Sequence, residues 1–449
     1  MRYVPLTPND REEMLRTVGV ATGDELFKQI PEEFRLKKYI KLSNPIGEME
    51  LTAITEGFAE EGRKSAKKIS FLGGGINRHY VPKVIPALLS REEFLTAYTP
   101  YQPEASQGTL QAQYEFQTYI AILSGMDVAN ASLYDGATAM AEAALMARRI
   151  NKKGKIVYIS RAIHPHYREV LKTYLRDIDV PIVEIPFDQK TGKTVFDAEQ
   201  MKDALCLIVG YPNYFGVIED LTEAREVATK TGALLISVTT EALALALLKP
   251  PGEFGVDIFV GEGQSFGLNP SFGGPLLGLI ATKDAYVRNL PGRLIGRGKD
   301  KEGKDAFVIV IATREQHIRR KDATSNICTN EALCALAVSM YLTLHGKAGL
   351  SRLAKKNVEN MFLLRRALSD IPGLTIPFSG TTFNEFVIRT KYPGHILLEK
   401  LKHYDIYGGI ALSDDYRHTN RNDILVSVTE MNGLKECIEL VHVIKEILK

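Results

Sequence analysis

The sequence predicts an α/β protein, with a large domain built on a mainly parallel sheet and a smaller α/β domain after it. Three observations lead there. Short β-branched runs alternate with helical segments between about residues 71 and 330, the pattern of strands joined by helical crossovers and buried on both faces. A long helix then leads into a second, shorter set of strands and helices. Finally, 449 residues at 45% hydrophobic and 24% charged can bury a large core without disulfide or metal staples, which excludes disorder, collagen and coiled coil.

In chain order, residues 1–70 read as short helices: 10–17, 24–30 stopped by Pro31, and 48–64 with Leu51, Ile54, Phe58 and Ala59 at helical spacing. None of these could form a core alone, so they predict a helical arm lying on something else. Strands are expected at 156–159, 182–185, 207–209, 234–238 and 257–260, separated by helices at 137–150, 167–175, 220–230 and 241–248. The run 276–281 follows too closely for a helical crossover and is expected to enter the sheet antiparallel. A helix at 330–345 leads to strands at 384–388 and 424–428 and helices at 395–401 and 434–448. The expected organisation is an arm at 1–70, a large α/β domain at 71–330, and a linking helix with a small α/β domain at 331–449.

The charge balance, 56 Lys and Arg against 54 Asp and Glu, leaves a net +2 with no basic tail or acidic block, which argues against nucleic acid as a partner. Four cysteines, Cys206, Cys328, Cys334 and Cys437, form no C-x-x-C pair and no zinc site, and fit a reducing compartment. The first residues lack a signal-peptide apolar region. The richest apolar helical stretch noted, 242–248, falls far short of the ~20 residues that span a bilayer. The expectation is a soluble, cytoplasmic protein of a bacterium or archaeon, without metal or membrane.

Ligands of open parallel sheets collect at the carboxyl ends of strands. Four such ends carry His164-Pro165-His166, Tyr211-Pro212-Asn213-Tyr214-Phe215-Gly216, Thr239-Thr240-Glu241, and Gly261-Glu262-Gly263-Gln264-Ser265-Phe266-Gly267. A cleft lined by imidazole, amide, acid and a Gly-rich turn suits a flat, polar, anionic ligand. Tyr134-Asp135-Gly136-Ala137 opens a helix with small residues, leaving first-turn N–H groups able to hold an anion. The alternative is an ordinary Asp cap, and the charge of Asp135 would repel phosphate. Phe71-Leu72-Gly73-Gly74-Gly75-Ile76-Asn77-Arg78 lacks the third glycine of a nucleotide loop and reads as a flexible turn. His164 and His166 could be the H-x-H of a metal-dependent hydrolase, but too few other ligands accompany them. The charged run 313–321 is either a solvated basic face or, beside the irregular stretch 322–329, a site or subunit contact.

These residues carry a family resemblance. Thr313 to Arg320 followed by Ala323-Thr324-Ser325-Asn326-Ile327-Cys328-Thr329 is similar to a signature of the glycine cleavage system P-protein, glycine decarboxylase. So are Tyr98-Thr99-Pro100-Tyr101-Gln102-Pro103-Glu104 with Ser106-Gln107-Gly108, and 126–132 running into Tyr134-Asp135-Gly136-Ala137. Pro291-Gly292-Arg293-Leu294 and Val428-Thr429-Glu430 add to it. The length resembles the half-size form, split into two subunits, and looks like subunit 1. The resemblance implies a pyridoxal-phosphate fold-type I, aspartate aminotransferase-like architecture. It implies decarboxylation of glycine by pyridoxal phosphate, with the aminomethyl group passing to the lipoyl arm of H-protein; the cofactor is the electron sink and the protein orients it.

One departure bears on which half this is. The family's catalytic half has a His-Lys after the strand 257–260, the lysine holding the cofactor as a Schiff base. No Lys occurs between Lys249 and Lys283, and Gln264 or Ser265 stands at that position. Glu241 also stands where the resemblance expects an Asp against the pyridine nitrogen. The expectation is a chain with no catalytic residue of its own and a vestigial pocket of His164, His166, Asn213, Glu241, Gln264, Gly136 and Ala137. Pyridoxal phosphate is then expected on the partner, subunit 2, in a two-plus-two heterotetramer. Tyr98, Tyr101, Arg314, His317 and Arg319 are expected near the shared interface or substrate channel. The alternatives are a noncatalytic scaffold subunit and a hydrolase using His164 and His166.

Overall fold

The computed structural model describes residues 5–38, 40–412 and 420–449 of the chain, which divides into two compact units, Met1–Lys67 and Lys68–Lys449. The first unit carries helices Pro8–Val18 and Glu48–Ala66 and two 3₁₀ turns, Gly23–Phe27 and Glu32–Phe34. Thr7 opens the first helix with a capping box: its hydroxyl accepts from the Asp10 N–H while the Asp10 carboxylate accepts from the Thr7 N–H. No described residue of this unit is buried, and Phe34, Leu42, Met49 and Phe58 stand exposed.

The second unit opens with β1 (Ile69–Ser70) and builds a seven-stranded sheet from β2 (Val128–Ala129), β3 (Ile156–Ser160), β4 (Ile182–Ile185), β5 (Ala204–Gly210), β6 (Leu234–Thr239), β7 (Ile258–Glu262) and β8 (Gly278–Thr282). The order is β2-β8-β7-β6-β5-β3-β4. Strands β3 to β7 pair in parallel; β8 runs antiparallel to β7 and β2. Alternate side chains feed opposite faces, as strand pleating requires. Ile208, Ile236, Val238, Ile258 and Val260 pack under helices Gly136–Ile150 and Pro165–Leu175, while Leu207, Val209 and Leu235 pack with Ala224 and Val227 of helix Leu221–Thr231.

A hairpin of β9 (Ile295–Lys299) and β10 (Asp305–Ile309) follows, then the helix Ala332–Ser369. The small sheet joins β11 (Leu374–Thr375), β12 (Glu385–Thr390), β14 (Ile410–Ala411) and β15 (Asp423–Ser427), while β13 (Ile406–Tyr407) pairs in parallel with β1. Helices Gly394–Lys402 and Leu434–Leu448 cover it through Leu397, Leu401, Leu440 and Ile444.

Several elements differ from expectation, among them the unforeseen helix Gln107–Ser124. The helix expected at 241–248 is a 3₁₀ turn, Ala242–Ala246, because the Pro250-Pro251 pair cannot continue a helix. The β9–β10 hairpin was not expected: in β9, exposed Arg297 and Lys299 alternate with glycines rather than apolar residues, although β10 carries the β-branched run that continues to Ile311. The helix expected at 330–345 continues to Ser369 past a break at Gly346 (φ 56°, ψ 178°), and by length and composition it, not 242–248, could cross a bilayer. Its Val338, Tyr341 and Leu342 lie in the core.

Candidate functional site

The carboxyl ends of β3, β5, β6 and β7 face the small sheet, and the segment 71–80 runs between them. Main-chain bonds stitch that segment to β13 and to the small sheet: the Phe71 N–H donates to the Tyr407 carbonyl (2.8 Å) and the Ser427 N–H to the Phe71 carbonyl (3.0 Å). Thr429 Oγ1 donates to the Arg78 carbonyl at 2.7 Å, and the Tyr80 N–H to Glu430 at 2.7 Å. Phe71 and Asn77 are fully buried. The flexible turn expected here is therefore core structure, fixed by partners more than 300 residues away in sequence.

His79 is the centre of the charge pattern. Its Nε2 lies 3.1 Å from Glu241 and its Nδ1 2.9 Å from Glu430, with the ring buried. Burial opposes the charged imidazole, but the two acids outweigh it and raise the ring to about 10. Burial likewise opposes a charged Glu430, yet His79, the Tyr80 N–H and Asn357 hold it down at about 2. Glu241 also accepts from the Leu243 N–H (3.0 Å) and from Asn384 Nδ2 (3.5 Å). Nearby, Glu385 is pushed up to about 7 by burial, against the Gly74 N–H that donates to it at 2.7 Å.

His164, beyond the end of β3, is the N-cap of helix Pro165–Leu175: its Nδ1 accepts from the His166 N–H (3.1 Å), and its Nε2 donates to the Gly74 carbonyl (2.8 Å). Burial lowers it to about 4, so it is the neutral ring that this bonding needs. Tyr214 packs edge-on against it, with ring centres 4.6 Å apart.

At the helix Gly136–Ile150, Asp135 caps the Thr138 N–H at 2.8 Å, and the Gly136 N–H donates to Glu262 Oε2 at 3.0 Å. Glu262 Oε1 accepts from Leu277 (2.8 Å) and Gln264 (3.1 Å) main-chain N–H groups. Burial pushes this carboxyl up to about 8, with those donors pulling the other way.

The structure thus brings His164, Glu241, Gln264 and Gly136 into one cleft. Ala137 lies half-buried in the first turn of the same helix. Gln264 is buried, its Oε1 accepting from the Asn77 N–H (2.9 Å) and its Nε2 donating to the Leu268 carbonyl (2.6 Å); Ser265 beside it is buried too. His166 is exposed. Asn213 holds its own turn instead: its Nδ2 donates to Gly192 (2.9 Å) and Glu219 (2.8 Å), and its Oδ1 accepts from Phe215 and Val217. Among the residues expected at an interface or channel, Tyr98, Tyr101, His317 and Arg319 are exposed. Arg314 is not: its guanidinium is buried and donates to the carbonyls of Leu290, Gly292 and Ile311, a bracing role between loops.

Sequence reasoning missed His79 and Glu385, whose partners are distant in sequence, and it named Asn77 and Glu262 only as parts of turns. No group of three or more His, Cys, Asp and Glu among the described residues is placed to hold a metal. Pyridoxal phosphate does not fit the cleft as it stands, because the main chain of 73–77 and the His79 ring lie against Glu241, His164 and Gln264.

The sequence pattern described as Glycine cleavage system P-protein matches residues 1–444. The "Probable glycine dehydrogenase (decarboxylating) subunit 1" of Bacillus mycoides is 44% identical over 444 residues, 98% of both chains. The protein of the same name from Bacillus cytotoxicus is 46% identical over 445 residues, again 98% of both. A crystal structure of glycine decarboxylase (P-protein) of the glycine cleavage system, in inhibitor-bound form, superposes with a TM-score of 0.87 at 40% identity over 100% of both chains. The sphingosine-1-phosphate lyase of Burkholderia pseudomallei, at TM-score 0.64 and 15% identity over 92% of this chain and 93% of that one, shares the fold alone. With its pyridoxal-phosphate fold-type I architecture, the chain belongs to the glycine cleavage system P-protein family, in the subunit 1 form of glycine decarboxylase.

Proposed function

We propose that this chain is the lysine-less half of a two-subunit glycine decarboxylase, active only with a homologous subunit 2 that carries pyridoxal phosphate and the lysine holding it. One observation carries the reading. The lysine position is Gln264 or Ser265, both buried, and no Lys lies between Lys249 and Lys283. An amide or hydroxyl there cannot form an imine, so the chemistry needs another chain. The cofactor, when bound on the partner, supplies the electron sink for loss of CO2 from glycine. The aminomethyl group then goes to the lipoyl arm of H-protein.

This chain's contribution is surface and shape. Phe34, Leu42, Met49 and Phe58 of the first unit, and Tyr98 and Tyr101 of the second, are exposed large side chains suited to burial against a partner. We assign the assembly a two-plus-two stoichiometry in the cytoplasm. Glycine–CO2 exchange measured on each subunit alone and on the mixture tests the reading. Exchange only in the mixture supports it; exchange by this chain alone overturns it. Full exchange by the folded partner alone would instead make this chain a scaffold.

A further inference from the structure

The cleft is filled in a patterned way, and each filling group meets one recognition point expected of a fold-type I cofactor site. At the helix start, where first-turn N–H groups would hold a phosphate, the Gly136 N–H donates to Glu262 at 3.0 Å. That carboxyl collects two further N–H groups, from Leu277 at 2.8 Å and Gln264 at 3.1 Å, so both its oxygens accept, as phosphate oxygens would. There is no room beside it: a Cβ added at Gly136 would stand 2.2 Å from the Tyr167 hydroxyl and 3.1 Å from the Gly261 carbonyl.

At Glu241, which would face a protonated ring nitrogen, the N–H of another ring is already present, from His79 at 3.1 Å. His79 is held from behind by Glu430 at 2.9 Å. Along the Nε2–Cδ2 edge of His164 runs the Gly74–Gly75 main chain. The Gly74 carbonyl accepts from His164 at 2.8 Å, and a Cβ at Gly75 would lie 3.2 Å from His164 and 3.9 Å from Thr240. Gly74 and Gly75 have φ of +71° and +100°, so glycine is what lets the chain pass between those side chains. At the lysine position, Gln264 accepts from the Asn77 N–H at 2.9 Å.

We propose that this chain supplies its own substitute for the cofactor: the Glu262 carboxyl takes the place of the phosphate and the His79 ring that of the pyridine nitrogen, while the Gly74–Gly75 main chain occupies the hydrogen-bonding edge of His164. The pocket is a closed structural core, not an idle binding site, and the missing lysine is only one of several reasons that it holds no cofactor. Restoring that lysine alone does not reopen it. This inference rests on the reading above that pyridoxal phosphate belongs to the partner.

Two experiments on the full chain test it. In the first, Glu262→Ala uncovers the helix N–H groups, and inorganic phosphate is titrated against thermal unfolding. The expected result is a rise in Tm of E262A with phosphate and none in the wild type; equal responses overturn the phosphate assignment. In the second, Q264K and S265K, each shown to be folded by circular dichroism, are incubated with pyridoxal phosphate, reduced with borohydride and mapped by peptide mass spectrometry. No stoichiometric adduct on the introduced lysine is expected. Such an adduct with His79 and Glu262 intact contradicts closure, whether or not E262A folds. An adduct on a native lysine of the wild-type chain would instead overturn the functional reading, so the two failures are distinguishable.

Discussion

The imidazole of His79 bridges Glu241 at 3.1 Å and Glu430 at 2.9 Å, joining the end of β6 to the residues that follow β15. The pair is buried, so its balance is set by what each group loses when the other is removed. Truncating one partner of a buried ion pair leaves an uncompensated charge, whereas removing the whole pair is far milder. His79→Ala should therefore cost about 3–5 kcal/mol of stability. Urea unfolding of the variant checks this, and a loss below about 1 kcal/mol would show that the acids are satisfied without the ring.

The same triad gives stability a pH dependence with two limbs. His79 is raised from 6.5 to about 10, so its contribution is complete below 6.5 and is lost as pH rises through about 10. Glu430 is lowered from 4.5 to about 2, so its contribution is present above 4.5 and lost as pH falls through about 2. Melting temperature should decline above neutral pH, and His79→Ala should flatten that alkaline limb. An unchanged alkaline slope in the variant would assign the decline to other groups.

Gly136 tests the packing at the helix start. An added Cβ would stand 2.2 Å from the hydroxyl of buried Tyr167, so Gly136→Ala must displace the ring or the helix. Overpacking of this kind costs about 1–3 kcal/mol. Tyr167→Phe in the same chain should recover part of it, because the nearest atom is removed. Thermal unfolding of the single and double variants is the check, and equal Tm values would show that the clash is relieved elsewhere.

Gln264→Leu keeps the bulk of the side chain but leaves the Asn77 N–H without its acceptor. A buried donor left unpaired costs about 1–3 kcal/mol. The reconstituted complex should lose stability to that extent while keeping most of its glycine–CO2 exchange per folded molecule. A collapse of exchange matching removal of the partner's lysine would mean that Gln264 takes part in chemistry.

Much of the fold was legible because the central strands are buried on both faces. Runs such as Leu234–Thr239 and Ile258–Glu262 have no exposed position, so they read as near-continuous apolar segments rather than alternating ones. The antiparallel entry of β8 followed from the short connection after β7. The β9–β10 hairpin did not show, since in β9 glycines and charges follow Ile295, although Phe307 and Ile309 of β10 mark a half-buried face.

The cleft was legible in part for a different reason. His164, Glu241, Gln264 and Gly136 stand at the ends of readable elements, so topology alone gathers them. His79 stands in a loop without periodicity, and its two partners are 162 and 351 residues away. Nothing local distinguishes it from a solvent-exposed histidine. Arg314 posed the converse problem: a charged residue in a charged run reads as surface or interface, while its guanidinium in fact satisfies buried loop carbonyls.

The division of labour between the two subunits is tested most directly by locating the cofactor in the assembled complex. The complex is loaded with pyridoxal phosphate, reduced with borohydride, separated into its two chains and analysed by peptide mass spectrometry. The account predicts one stoichiometric pyridoxyl-lysine on the partner and none on this chain. A stoichiometric adduct on a lysine of this chain would contradict it and make this subunit a catalyst in its own right.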